Sequence, residues 1–182
     1  MEDLTTPRLI LHPLTPAEAE RLVARTPAPD DRWAPDYPTD GDVESAQDHL
    51  GHCATTGDPQ PFGDYEIRRR DDGLVIGSLG FHRPPDAEGT VSIGYGVAES
   101  ARGKGYAGEA LSALLAMARD RGITRVKGDA DLDNIASQRV METAGMRFVG
   151  EDERVKYYET DWTPAETTGT PAAGARTSIP CP

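Results

Sequence analysis

The segment Arg102-Gly103-Lys104-Gly105-Tyr106-Ala107-Gly108 places three glycines and two cations where a long amphipathic helix begins. At such a helix start exposed N–H groups converge, glycines let the backbone approach a ligand, and the helix dipole favours negative charge. Arg102 and Lys104 add positive charge at the same place. This combination suits a cradle for phosphate or pyrophosphate. Gly103, Gly105 and Gly108 also satisfy the dinucleotide spacing G-x-G-x-x-G, with Asp129 at about the 20-residue distance that fingerprint gives its ribose-binding acid. Three features oppose that reading. Glu99-Ser100-Ala101-Arg102 separates the first glycine from the preceding strand, and Gly94 and Gly96 interrupt that strand's apolar run. Little chain follows residue 130 to supply further strand–helix units. A purely structural glycine-rich helix start is the other alternative.

Other chemistry-bearing residues stand apart. His49, His52 and Cys53 fall at helical spacing that could serve a metal, but Cys53 continues an apolar stripe and no fourth ligand accompanies them, so no metal is expected. Cys53 and Cys181 do not make a disulfide framework. Trp33 and Tyr37 lie in a proline-rich stretch over 27–38, an irregular loop or lid, where they could line a substrate site or pin the loop to the core. Glu109, in the first turn of the long helix, suits the dipole or a structural contact.

The elements that position these residues can be read from periodicity. Residues 8–14 form a strand, and Thr15, Pro16 and Glu18 form a capping box opening a helix to about Arg25. Asp40 caps a second helix with Val43, Ala46, Leu50 and Cys53 on one face. Residues 65–70 and 74–81 make a hairpin around Asp71-Asp72-Gly73, and 90–97 is a third strand. A helix over 103–121 carries the stripe Ala107, Ala110, Leu111, Leu114, Leu115 and Ala118, ending at Gly122. Strand 124–130, helix 134–144 and strands 146–150 and 155–162 complete the order. The predicted fold is α/β, a mostly antiparallel seven-stranded sheet with about four helices. One β-α-β crossover makes strands 90–97 and 124–130 parallel.

Residues 1–162 are expected to form one domain, and 163–182, rich in Thr, Pro, Ala and Gly, a disordered tail. A net charge of −12 and the lack of a Lys/Arg-rich stripe argue against a nucleic-acid partner, and are compatible with a cationic one. No stretch is apolar enough to span a membrane, and the first residues lack a signal layout, so a cytoplasmic setting is expected.

Four stretches together resemble the GNAT acyltransferase superfamily, and within it the branch of RimJ/RimL-like N-acetyltransferases. Thr6-Pro7-Arg8-Leu9-Ile10-Leu11-His12-Pro13-Leu14 is similar to that branch's first strand, and Ile93-Gly94-Tyr95-Gly96-Val97 to its central strand. Arg102 to Ala107 fits the pyrophosphate turn [Q/R]-x-x-G-x-[G/A]. Asp133-Asn134-Ile135-Ala136-Ser137 through Ala144-Gly145-Met146-Arg147-Phe148 fits the later Asn-x-x-Ser and Ala-Gly-Phe element, with Met146 where Phe is usual. The likeness spans about residues 6–162.

The resemblance implies an acetyl-CoA-dependent N-acetyltransferase acting on a primary amine of a small molecule or peptide, as a monomer or homodimer. It implies that the amides from Gly103 through Lys104, Gly105, Tyr106 and Ala107 to Gly108, with Arg102, hold the coenzyme A pyrophosphate. The parallel strands would splay into a slot for the pantetheine arm, with the Val97 backbone facing the thioester carbonyl and Asn134 bonding the arm. Acetyl transfer needs an amine that has shed a proton, donors for the oxyanion, and a proton for the leaving thiolate. Ser137 is the candidate for the last role. Other branches carry Tyr seven residues after the Asn, where this chain has Met141, and a structural reading of Ser137 is a hydroxyl bonding its own helix. The base is unassigned. Many members of the branch have Glu where Ser92 stands, and Glu66, Asp131 and Glu159 are possible substitutes. The absence of a base also admits a second function, a catalytically weak or inactive acyl-CoA sensor. A nucleotide-dependent oxidoreductase is the third.

Overall fold

The computed structural model describes residues 2–160 and 162; the expected tail at 163–182 and Cys181 lie outside the described residues. Eight strands and four α-helices are described: β1 Leu4–Thr5, β2 Leu9–Pro13, α1 Pro16–Ala24, α2 Asp40–Thr56, β3 Asp64–Arg69, β4 Val75–Phe81, β5 Thr90–Val97, α3 Tyr106–Asp120, β6 Arg125–Asp131, α4 Ile135–Thr143, β7 Arg147–Glu151 and β8 Val155–Glu159. They form one sheet in the order β1-β2-β3-β4-β5-β6-β8-β7. Among the described residues every neighbouring pair is antiparallel except β5 with β6. The strand beyond the seven expected is β1, whose two residues pair with Ile10 and Leu11 and are too few to show an alternation.

The helix starts show why local chemistry succeeds or misleads. At α1 the Thr15 hydroxyl accepts from the Glu18 N–H while the Glu18 carboxylate accepts from the Thr15 N–H, the expected capping box. At α2 the cap is Thr39, one residue before the expected Asp40, because Asp42 three residues on returns the bond and closes a second box. At α3 the helix begins at Tyr106, not Gly103, since Gly103 (φ 74°) and Gly105 (φ 78°) hold left-handed conformations that a right-handed helix excludes.

Register assigns side chains to the two faces. Leu11, Ile67, Gly77 and Val97 lie in one row across β2–β5, and Pro13, Tyr65, Leu79 and Tyr95 in the next row of the same face. The opposite face carries His12, Glu66, Ser78 and Gly96, then Asp64, Gly80 and Gly94. Bonds from Tyr95 to Ser137 put α4 on the first face, and α3 packs beside α4 there. Bonds from Asp42 to Ser78 and from Ser45 and His49 to Asp64 put α2 on the second, with α1 packed against it. The stripe Ala110, Leu111, Leu114, Leu115 and Ala118 is buried as its spacing predicts.

β5 and β6 are hydrogen-bonded neighbours only where Thr90–Ser92 meets Arg125–Lys127. Beyond that point β5 continues with β4 to Val97 and β6 continues with β8 to Asp131, so the two strands part. The sheet opens into a slot at its centre, directed toward the start of α3.

Candidate active site

The turn between β5 and α3 is built from left-handed glycines and an open helix end. A 3₁₀ turn over Glu99–Ala101 follows β5, then Gly103 and Gly105 reverse the chain into α3. No side chain caps α3; its first helical bond runs from the Glu109 N–H to Gly105 O at 3.1 Å. The amides of Tyr106, Ala107 and Gly108 therefore lack intrahelical acceptors, as first-turn amides do. A Cβ built on Gly103 or Gly108 would meet nothing within 4 Å. Bare amides, a dipole end and open space where side chains would stand fit an anionic ligand such as pyrophosphate.

The turn is held from the sheet edge. The Glu109 carboxylate accepts from the Thr6 hydroxyl (2.6 Å), the Arg8 backbone N–H (2.9 Å) and Arg8 Nε (2.6 Å). Arg8 also donates to Lys104 O at 2.9 Å and lies over the Tyr106 ring at 4.8 Å. Partial burial pushes the Glu109 carboxyl up, but the bonds from Thr6 and Arg8 outweigh it and hold it below the usual value. Glu109 is thus a clamp, and Tyr106 is the platform for Arg8. Arg102 Nε donates to Val97 O at 3.3 Å, and Lys104 Nζ to Ser100 O at 2.9 Å, so both cations stay beside the turn. The 27–38 loop reaches the same place: Asp36 accepts from the Ser100 N–H (2.8 Å) and hydroxyl (2.6 Å).

Across the slot, Asn134 caps α4 by accepting from the Ser137 N–H at 3.1 Å. That commits its Oδ1 to the helix and leaves the amide NH₂ for a ligand. The Ser137 hydroxyl is 2.7 Å from the Tyr95 hydroxyl, which also donates to Ser137 O at 2.9 Å. Ser137 therefore bonds a side chain on β5, in place of the bond within its own helix considered above. Burial raises the Tyr95 phenol, against the lowering effect of the Ser137 bond, so it stays protonated and able to donate. Tyr95 supplies a tyrosine that linear spacing from Asn134 could not locate. The available signal was strand alternation, which puts Tyr95 on the face of Ile93 and Val97.

On the other face of β5, a cavity of about 240 Å³ lies between α2 and the strand. Gly94, Tyr95 and Gly96 form its floor, and Asp42, Glu44, Asp48 and Asp64 contribute carboxylates to its wall. Asp42 accepts from the Ser78 hydroxyl, and Asp64 takes Ser45 Oγ at 2.7 Å and His49 Nδ1 at 3.2 Å. His49 is buried against Asp64, while Cys53 is half-buried with its thiol pushed up by desolvation. Among the described residues no group of three or more His, Cys, Asp or Glu could hold a metal ion.

The candidate bases are dispersed. Glu66 is buried and bonded by Arg68 at 2.7 and 2.9 Å; desolvation raises its carboxyl against the pull of Arg68. Glu159 faces Arg125 and Lys127 at 3.6 and 3.9 Å. Asp131 is exposed at the end of β6, and Ser92 is exposed on β5. Trp33 and Tyr37 pin their loop: their rings meet edge-on at 5.7 Å, and the Ala34 N–H donates to Val75 O. The dinucleotide alternative fails on topology, because one parallel strand pair in a largely antiparallel sheet does not make a doubly wound domain.

Comparisons with known proteins converge on one description. The model of the acetyltransferase (GNAT) domain family matches residues 8–147. YjdG of Bacillus subtilis (strain 168), an uncharacterized N-acetyltransferase, is 33% identical over 85 residues, 46% of this chain and 51% of that protein. The chain thus spans about half the length of that curated relative. A GNAT-family acetyltransferase from Bacillus anthracis has a similar structure (TM-score 0.64, 20% identity, 87% of this chain and 97% of that one). So does RimL, a ribosomal L7/L12 alpha-N-protein acetyltransferase in complex with coenzyme A (TM-score 0.64, 19% identity, 88% and 98%). The microcin C7 self-immunity acetyltransferase MccE, in complex with acetyl-CoA and AMP, is similar too (TM-score 0.62, 17% identity, 86% and 93%).

Proposed function

Because this chain belongs to the GNAT acetyltransferase family, we propose that it is an acetyl-CoA-dependent N-acetyltransferase that modifies a primary amine. The observation that carries this reading is the parting of β5 and β6 beyond Ser92, in a sheet whose slot leads to the uncapped start of α3. Acetyl-CoA would supply the activated acetyl group as a thioester. The amides from Gly103 to Gly108 and the Arg102 and Lys104 side chains would hold its pyrophosphate, through oriented N–H groups and positive charge.

The remaining residues divide the work along the slot. The Asn134 amide NH₂ meets the pantetheine arm. The Val97 backbone, at the mouth of the turn, faces the thioester. Ser137 donates its proton to the departing sulfur, and Tyr95, bonded to Ser137 at 2.7 Å, holds the hydroxyl in place. The acceptor approaches from the opposite face of β5, where the cavity under α2 abuts Gly94 and Gly96.

Thermal-shift titration with acetyl-CoA, free coenzyme A and NAD in parallel tests the donor, since binding to the native state raises Tm. Both coenzyme A forms should raise it, and NAD should not. Arg102→Glu should raise the KM for acetyl-CoA by roughly 10–100-fold, the scale of one charge-assisted bond made repulsive. No shift with coenzyme A, or an unchanged KM in the variant, would remove the turn from the binding site.

A further inference from the structure

The residues placed so far leave the acceptor's proton without a destination. Glu66 is committed to Arg68, Glu159 faces two cations, Asp131 does not line the cavity under α2, and Ser92 is an alcohol. His82 stands on the face where the proton must go. It follows directly on β4, and its backbone N–H donates to Ser92 O on β5 at 3.0 Å. Phe81 pairs with Ile93 and belongs to the apolar face, so the next side chain turns to the face of Ser92, Gly94 and Gly96. There the imidazole lies against Gly94: a Cβ on that residue would sit 2.8 Å from His82 Cε1 and 3.1 Å from Nε2. Gly94 leaves the gap that the ring occupies. The side chain is exposed, and it lines the cavity whose floor is Gly94–Gly96.

Resting on the acetyl-transfer reading, we infer that His82 is the general base. Its imidazole takes the proton from the acceptor's ammonium group while that nitrogen stands in the cavity beside Gly94 and Gly96. The freed lone pair forms the C–N bond to the acetyl carbonyl carbon, and the C–S bond breaks. The second proton lost by nitrogen ends on the thiolate through Ser137, and the first leaves His82 for solvent. One amide, one thiol and one released proton balance the ammonium and thioester consumed.

The charges around His82 suit a cationic acceptor. Asp42, Glu44 and Asp48 of α2 and Asp64 of β3 share its cavity. On its other side Arg83 and Asp86 of its own loop and Lys127 of β6 line a second depression with it. Carboxylates near an amine stabilise its protonated form, which makes a base at this position more necessary. Imidazole is the side chain whose charge ordinarily changes across neutral pH.

The test uses the full chain with acetyl-CoA and 1,4-diaminobutane, a dication suited to an acidic cavity of about 240 Å³. Wild-type kcat/KM should rise with pH to a plateau. His82→Gln should lower the rate at pH 7 by about a hundredfold or more and lose that limb. Because His82 is exposed, the variant should keep the wild-type Tm and the same acetyl-CoA thermal shift. An unchanged pH profile in His82→Gln would overturn the assignment. So would a wild-type chain that binds acetyl-CoA and leaves the diamine unmodified, since the cavity would then not be the amine site. Loss of the acetyl-CoA shift in the wild type would instead sink the acetyl-transfer reading itself.

Discussion

The two faces of the sheet are built from opposite materials. Under α3 and α4 lie Leu11, Ile67, Leu79 and Ile93, met by Leu111 and Leu114 of α3, all buried and apolar, and polar contacts such as that of Tyr95 with Ser137 gather at the slot. Under α1 and α2 the same strands present His12, Glu66, Ser78 and Asp64, and the helices answer with Glu18, Asp42 and His49. Gly77 and Gly96 differ in the same way. A Cβ at Gly77, in the apolar row, would lie 2.2 Å from the Gly96 carbonyl oxygen, whereas one at Gly96, on the polar face, would meet nothing within 4 Å. The first face is closed by packing, and its glycine is there because the chain is too close for anything larger. The second face leaves room at Gly96, while Asp64 fills the space at Gly80 and His82 that at Gly94. A close-packed apolar layer gives the rigid base, and the polar layer keeps a cavity lined by carboxylates.

The largest effect should fall on the closed face. Leu114→Ala removes a fully buried side chain and should cost about 2–5 kcal/mol in denaturant unfolding, with kcat of the folded protein unchanged. A collapse of kcat with little loss of stability would mean that this face also shapes the site. Next is the boundary between the faces. Ser137→Ala should lower kcat by about a hundredfold and leave KM nearly unchanged, the scale of a lost general acid. An unaffected kcat would remove Ser137 from the chemistry and leave its bond to Tyr95 structural.

The smallest effect tests the polar face through pH. His12 lies 2.7 Å from Asp3 and 3.3 Å from Glu18. The bond to Glu18 raises the imidazole above its ordinary 6.5, against burial and the charge of Arg68. Burial pushes the Glu18 carboxyl up, but bonds from His12 and Thr15 hold it below its ordinary 4.5. The histidine's contribution is full below 6.5 and is lost as pH rises through its raised value. That of the carboxylate is present above 4.5 and is lost as pH falls. The Tm advantage of wild type over His12→Gln should therefore be greatest between 4.5 and 6.5 and shrink at higher pH, by a few degrees in all. A gap that is constant with pH would show that His12 serves packing alone.

Much of the molecule can be read locally, because the relevant forces act within a few residues. The stripe of α3, the Thr15–Glu18 box and the glycine turn each rest on neighbours in sequence, and each is found near its expected place. Small departures have local causes too. Thr39 and Asp42 outcompete Asp40 as a cap, and two left-handed glycines delay α3 to Tyr106. The candidate site is legible in part. Asn134, Ser137 and the residues from Arg102 to Gly108 could be named, but the partners that orient them could not. Arg8 and Glu109 are 101 residues apart, and Tyr95 and Ser137 are 42 apart.

The sequence by itself determined the helices, the strand order along the chain, the crossover and the glycine turn, since periodicity, caps and glycines encode them directly. Tertiary structure alone decided that β8 lies between β6 and β7 and that β5 and β6 part after three residues each. It also decided that His82 comes to rest on Gly94. Those outcomes depend on which strands exchange hydrogen bonds and which face each residue takes in the assembled sheet. Register is a property of paired strands, and a single strand read alone does not carry it.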